Sequence, residues 1–88
     1  MKATFGAQSV PAAGALGTIA KVEMLAGQLE SSELHYSEAL RIMREQGIFG
    51  SDVAIAVMSG YATLLRKMRR RHDAEAIEAE LKPFRGRN

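Results

Sequence analysis

The sequence predicts an all-α fold in which four helices pair into two helix–turn–helix hairpins. Apolar residues recur with the three-and-four spacing of buried helix faces. Residues 61–84 also repeat the pattern of residues 19–42 at an offset of 42 residues, as in a helical repeat protein. Trp is absent, and the apolar side chains are mostly Ala, Leu, Ile, Val and Met. We therefore expect a short α-solenoid over residues 11–84, with a flexible arm at 1–10 and a polar tail at 85–88.

The first hairpin is expected between Pro11 and Gly47. Pro11 suits the first turn of a helix over about 12–26, where its missing N–H costs no hydrogen bond. Gly27 suits a tight turn, a second helix covers about 29–46, and Gly47 is a typical helix stop. The predicted apolar stripes are Ile19, Val22 and Ala26 on the first helix and Leu29, Ser32, Tyr36, Ala39, Leu40 and Met43 on the second.

The second hairpin is expected between Gly50 and Pro83. A turn at 50–52 leads into a third helix over about 52–68. The basic segment 69–72 is the predicted turn, and the fourth helix covers about 73–82 because Pro83 should end it. The predicted inward residues are Val53, Val57, Tyr61, Leu64, Leu65 and Met68 on the third helix and Ala74, Ile77 and Leu81 on the fourth.

Both hairpins resemble tetratricopeptide repeats, and the 42-residue offset looks like the longer kinesin-light-chain type of that family. The small residue that the family has in the first helix of a repeat is matched by Ala20 and Ala62. Its turn glycine is matched by Gly27, and its second-helix aromatic residue by Tyr36. Its small second-helix residues are matched by Ala39 and Ala74. The second hairpin departs from the pattern at Arg69, Arg71 and Glu78, where a glycine and two aromatic residues are usual.

The resemblance implies a non-enzymatic module for protein–protein interaction. Partners of such repeats usually lie along the concave side, which is lined by the first helix of each repeat. That surface would bind a peptide or protein segment here, with Lys21 and Arg66 as electrostatic anchors. The partner-binding residues that the resemblance implies are Lys21, Met24, Ser59, Thr63 and Arg66, beside Gly17.

A basic cluster is the sharpest feature outside the helical pattern. It consists of Arg66, Lys67, Arg69, Arg70 and Arg71. It is a candidate site for an anion, such as an acidic peptide, a phosphate or a nucleic acid. The alternative is a solvated helix end whose cations pair with the acids Asp73, Glu75 and Glu78 across the turn. This alternative is favoured over an anion site. Nucleic acid in particular is disfavoured, because the chain holds 12 basic and 10 acidic residues and few aromatics.

No pattern in the chain is typical of catalysis, a cofactor or a metal. Cys is absent, which removes thiolate ligands and a Cys nucleophile. His72 and Glu75 are three residues apart, but two ligands do not make a metal site. Neither a signal-peptide core nor a run of about 18 apolar residues occurs. We therefore expect a cytoplasmic protein without cofactors, metals or membrane contact.

A structural role is the remaining alternative. Helical arrays usually need about three repeats and polar caps at their ends, and this chain has two repeats. The segment from Gly14 to Met24 lacks a polar cap, so a homodimer could complete the array through this end. The homodimer and the small anion or nucleic-acid binder stand beside the interaction module as alternatives.

Overall fold

The computed structural model describes residues 10–47 and 52–85, with only the backbone described for Val10, Pro11 and Arg85. The described residues form four helices and no strand, which confirms the predicted all-α class. Residues 1–9 of the predicted arm, residues 48–51 between the hairpins and residues 86–88 of the predicted tail lie outside the described residues. The helices are α1 (Val10–Leu25), α2 (Leu29–Gln46), α3 (Asp52–Lys67) and α4 (Arg71–Arg85).

The helices pack as two hairpins that stack on each other. Helix α1 packs against α2, and α3 packs against α4. Helix α3 also contacts both helices of the first hairpin. The first helices of the two hairpins, α1 and α3, are called the A helices below, and α2 and α4 are called the B helices. The two predicted hairpins are therefore present, and the A helices lie side by side.

The turn between α1 and α2 closes with the hydrogen bonds of a Schellman motif. Gly27 adopts a left-handed conformation with a φ of 86°. Its N–H donates to the Met24 carbonyl at 3.1 Å, and the Gln28 N–H donates to the Glu23 carbonyl at 2.8 Å. These bonds satisfy carbonyls that the helix end leaves unpaired. Gly47 ends α2 in the same left-handed region, with a φ of 65°.

The turn between α3 and α4 repeats this geometry without a glycine. Arg69 occupies the position 42 residues after Gly27 and has a φ of 65°. Its N–H donates to the Arg66 carbonyl at 3.0 Å, and the Arg70 N–H donates to the Leu65 carbonyl at 2.8 Å. Each donor and acceptor lies 42 residues after its counterpart in the first turn. The internal repeat therefore holds at the level of individual backbone hydrogen bonds.

The core lies between the helices and combines small residues at close crossings with larger ones between hairpins. Ala20 and Ala62 are both buried, as predicted for the A helices. Ser32 is the buried polar residue of the described core, and its hydroxyl donates to the Ala20 carbonyl at 2.6 Å. The predicted inward residues of α4 are all buried: Ala74, Ile77 and Leu81.

The predicted burial of the apolar stripe on α1 is wrong. Ile19 and Val22 are 46% and 61% exposed, and Ala26 is exposed as well. The helix buries Ala13, Ala20 and Met24 instead. Helix α1 is the end helix of the described array. The sides of α1 that carry Ala13, Ala20 and Met24 pack against α2 and α3, and no described helix lies against the side that carries Ile19 and Val22.

Three helix boundaries also differ from expectation. Helix α1 begins at Val10, inside the predicted arm. Helix α4 begins at Arg71 instead of Asp73 and continues through Pro83 to Arg85. Pro83 does not end the helix, because it lies in the last turn, where a proline removes only one backbone hydrogen bond near the fraying end.

Candidate functional site

An open groove of about 780 Å³ runs between the A helices α1 and α3. Its walls are low because four positions that face it carry small residues: Gly14 and Gly17 on α1, and Ala56 and Gly60 on α3. Its volume lies within the range of sites that bind small molecules or side chains. The other lining residues are Thr18, Lys21, Met24, Tyr36, Asp52, Val53, Val57, Ser59 and Thr63.

The floor of the groove is apolar and comes from three helices. Met24 of α1, Tyr36 of α2 and Val57 of α3 line it and are nearly inaccessible to solvent. The Tyr36 ring stacks on Tyr61 of α3, with centroids 5.8 Å apart and planes 11° from parallel. A side chain at Gly60 would overlap the Tyr36 hydroxyl, so this position admits only a glycine while Tyr36 keeps its place.

The Tyr36 hydroxyl is a hydrogen-bonding group with no partner among the described residues. No bond joins it to another described residue, although Tyr36 as a whole is only 2% exposed. Every fully buried polar side-chain atom of the described residues has a partner. The hydroxyl oxygen must therefore retain access to the groove. Burial raises the pKa of this hydroxyl above its ordinary value, so it is a neutral donor near pH 7.

The rim of the groove carries few polar groups that are free to bind a ligand. The Thr18 hydroxyl donates to the Gly14 carbonyl at 3.1 Å, and the Thr63 hydroxyl donates to the Ser59 carbonyl at 3.0 Å. Both threonines thus turn their donors back onto their own helix. Lys21 is exposed and forms no ion pair with the other described residues. The groove is therefore a largely apolar surface, and the polar groups that line it include the Tyr36 hydroxyl, Lys21, Asp52 and Ser59.

The structure brings four of the five predicted partner-binding residues together. Lys21, Met24, Ser59 and Thr63 all line the groove. Arg66 does not line it, because its guanidinium bonds the Glu78 carboxylate of α4, with Nε to Oε2 at 3.0 Å. Sequence reasoning missed Tyr36, Gly14 and Gly60 as groove residues. The glycines themselves were the available signal. A glycine inside a helix lowers the stability of the helix, so its presence indicates a close packing contact at that position.

The basic cluster is largely paired with acids. Arg66 bonds Glu78, and Arg71 lies 3.9 Å from Glu75. The hydrogen bond to Glu78 raises the pKa of Arg66, and the hydrogen bonds to Glu33 and Asp73 raise the pKa of Arg70. Arg70 bonds two acids, Glu33 of α2 and Asp73 of α4. Lys67 and Arg69 form no ion pair with other described residues, so anion binding at the cluster stays a prediction that would rest on these two.

A second polar cluster ties α1 to α2 away from the groove. Glu23 accepts a hydrogen bond from the Ser31 hydroxyl at 2.7 Å and lies 2.7 Å from Nδ1 of His35. The bond from Ser31, followed by the contact with His35, holds the pKa of Glu23 below its ordinary value. These contacts join α1 to α2 within the first hairpin.

The described residues hold no group of three or more His, Cys, Asp or Glu side chains arranged to bind a metal. None of the described helices is both long enough and apolar enough to cross a membrane. No protein-family model, curated protein or solved structure matches the chain. The resemblance to tetratricopeptide repeats therefore stays a prediction based on the residue pattern.

Proposed function

We propose that this chain is a non-enzymatic interaction module that binds a short polypeptide segment in the groove between α1 and α3. The observation that carries the proposal is the unpartnered Tyr36 hydroxyl on the apolar floor of that groove. The hydroxyl keeps access to the open groove, so an acceptor on a ligand takes the place of water there. A ligand that supplies an acceptor gains a net hydrogen bond of roughly 0.5–1.5 kcal/mol and also covers the apolar floor.

The lining defines the chemistry of the segment. The floor of Met24 and Val57 suits an apolar side chain, and methionine adapts its shape to different ones. The space beside Gly17 is filled by Val57 and that beside Gly60 by Tyr36, so the glycines bring α1, α3 and Tyr36 close together. A carbonyl oxygen of a segment in the open groove can accept a hydrogen bond from the Tyr36 hydroxyl. Lys21 favours an acidic residue of the segment beside it, whereas Asp52 at the start of α3 favours a basic one at its own position.

Anion or nucleic-acid binding through the basic cluster has weaker support. Binding a phosphate with Arg66 or Arg70 would require breaking their bonds to Glu78, Glu33 and Asp73. The groove, in contrast, can be filled without breaking an ion pair among the described residues. This difference favours a polypeptide segment that carries an apolar side chain.

The test is selection of a displayed library of random dodecapeptides on the full chain. Enriched peptides are then synthesised, and their affinity is measured by fluorescence anisotropy. Ser59→Trp fills the groove, and Ser37→Trp makes the same change at an exposed site on α2. We expect the selected peptides to lose at least about tenfold in affinity on the first variant, about 1.4 kcal/mol, and to bind the second normally.

A finer pair of variants tests the hydroxyl itself. Tyr36→Phe removes only the oxygen that faces the groove, and Tyr61→Phe makes the same change on the ring stacked against it. We expect a three- to tenfold loss of affinity for Tyr36→Phe alone, since a hydrogen bond contributes roughly 0.5–1.5 kcal/mol net. Peptides that bind Ser59→Trp as well as they bind the unaltered chain, or a selection that enriches none, would refute the proposal.

A further inference from the structure

The outward side of α1 is an apolar face that none of the other described elements covers. Ile19 and Val22 form its centre and are the exposed residues noted above. The two charged residues of α1 lie elsewhere, because Lys21 lines the groove and Glu23 bonds α2. The face, called the end face below, consists of Ala15, Ile19, Val22 and Ala26.

The internal repeat shows how the corresponding face of α3 packs when another helix covers it. The positions 42 residues later are Val57, Tyr61 and Leu64 on α3 and Met68 directly after it. Val57 and Leu64 are buried, and Tyr61 stacks on Tyr36 of α2. On α3 this face is therefore the contact with the preceding hairpin. On α1 no described residue covers the corresponding face, and this face also carries apolar side chains.

The opposite end of the array does not complement the end face. The positions of α4 that correspond to Tyr36 and Leu40 of α2 hold Glu78 and Lys82. Glu78 is bonded to Arg66, and Lys82 is exposed. Stacking the end face of one copy on α4 of another would bury these charges against apolar side chains, which is costly. Growth into a head-to-tail filament is therefore disfavoured.

The end face is instead complementary to itself. Its four residues are spaced by four, three and four positions, so the pattern reads the same in both directions. Two copies of α1 packed antiparallel about a two-fold axis place Ile19 against Val22 of the partner subunit and Ala15 against Ala26 of the partner subunit. The alanines at both ends let the helices approach closely, and no like charges meet within the face.

We propose that the chain forms a two-fold symmetric homodimer through the end face. Symmetric pairing of one patch with its own copy is the commonest form of homo-oligomer. The groove lies on another side of α1, along Gly14, Gly17 and Lys21, so both grooves of the dimer stay open. The dimer does not depend on the groove having a ligand. An interface formed by four side chains of one helix face in each copy is at the weak end of specific contacts, and we expect a dissociation constant of about micromolar or above.

The first test is sedimentation equilibrium of the full chain from about 1 μM to 1 mM, a range that brackets weak dimers. We expect the mass to rise from that of the 9.6 kDa chain to twice this value and no further. Ile19→Lys should keep the chain monomeric throughout. Leu34→Lys changes a 71% exposed leucine on α2 in the same way and should leave the dimer intact.

Circular dichroism at 222 nm checks that each variant is folded. If Ile19→Lys loses helical signal, Val22→Lys decides in its place, because Val22 is the more exposed of the two. A wild-type chain that stays monomeric at every concentration overturns the proposal. So does a folded Ile19→Lys or Val22→Lys variant that still forms the dimer.

Cross-linking identifies which faces meet. The chain contains no Cys, so a single cysteine reacts alone. Val22→Cys should be joined into covalent dimers by a short bismaleimide, because the two-fold axis brings the two α1 helices together. Leu34→Cys should not be joined. Contact between the end face and α4 would leave Val22→Cys uncross-linked, and masses beyond the dimer would show filament growth; either result overturns the proposal.

Discussion

Arg69 is held in a backbone conformation that only glycine adopts without strain, and replacing it with glycine should stabilise the protein. Its φ of 65° is in the left-handed region, and its turn matches the turn at Gly27 bond for bond. The left-handed conformation costs an L-residue about 1–2 kcal/mol. The greater freedom of glycine in the unfolded chain offsets about 0.5–1 kcal/mol of the gain.

The comparison that isolates this effect is Arg69→Gly against Arg69→Ala. Both variants remove the same cation from the end of α3, so any effect of the charge on the helix dipole cancels between them. We expect the glycine variant to be more stable than the alanine variant by about 1 kcal/mol. For a domain of this size that difference raises the melting temperature by about 4–8 °C in thermal unfolding followed by circular dichroism.

The first turn supplies the reverse experiment. A methyl group added at Gly27 would meet no atom within 4 Å, so Gly27→Ala changes only the backbone preference. It should destabilise the chain by about 1 kcal/mol, the mirror of the change at Arg69. At Ala76, an exposed position inside α4, glycine should be the less stable residue by about 1 kcal/mol. Equal melting temperatures for Arg69→Gly and Arg69→Ala would refute the reasoning.

Three further predictions concern the first hairpin and the groove. Ser32→Ala removes the buried bond to the Ala20 carbonyl and should cost about 1 kcal/mol of unfolding free energy in urea titration, whereas an unchanged midpoint would show that the bond contributes nothing. Glu23 has a lowered pKa in the folded chain, so its stabilisation is present above its ordinary value of 4.5 and is lost as the pH falls through the folded pKa. Thermal melts should show Glu23→Gln less stable than the unaltered chain at pH 7 and equal to it in strong acid; a gap that persists in acid would contradict the assignment. Lys21→Glu should weaken binding of acidic library peptides, and Lys67→Glu, the same change outside the groove, should not; equal losses would indicate a general charge effect.

The sequence predicted the fold well because the helical pattern is local. The stripe on α4 and the glycine at Gly27 depend on neighbours within a few residues, and the structure confirms both. The stripe on α1 was misread for the opposite reason. Ile19 and Val22 have the pattern of buried residues, but burial depends on whether another helix lies beside them, which periodicity cannot report.

The candidate site was predictable only in part. The family resemblance placed Lys21, Met24, Ser59 and Thr63 on one surface, and all four line the groove. It could not reveal the role of Tyr36, which the helical pattern correctly assigns to the core. That role depends on the missing side chain of Gly60, on a different helix. Contacts between residues so far apart in sequence are set by the stacking of the hairpins and leave no local signal.

Tyr36 links the stacking of the two hairpins to the state of the groove. Ion pairs between α2 and the second hairpin, such as Arg44 with Glu80 at 3.0 Å, are exposed and contribute only about 0–1 kcal/mol each. The register of the hairpins therefore depends mainly on packing contacts, such as the stack of the buried Tyr36 ring on the half-buried Tyr61 ring.

The same Tyr36 side chain presents its hydroxyl to the groove, so a segment bound there contacts a residue that also holds the hairpins together. A ligand that binds only the stacked arrangement stabilises it by mass action, by about 2.7 kcal/mol at a hundred times its dissociation constant. If the proposed segment binds in the groove, its binding and the cohesion of the array are coupled through Tyr36. Peptides that bind the groove should raise the melting temperature of the whole chain, and this gain should shrink in Tyr36→Phe.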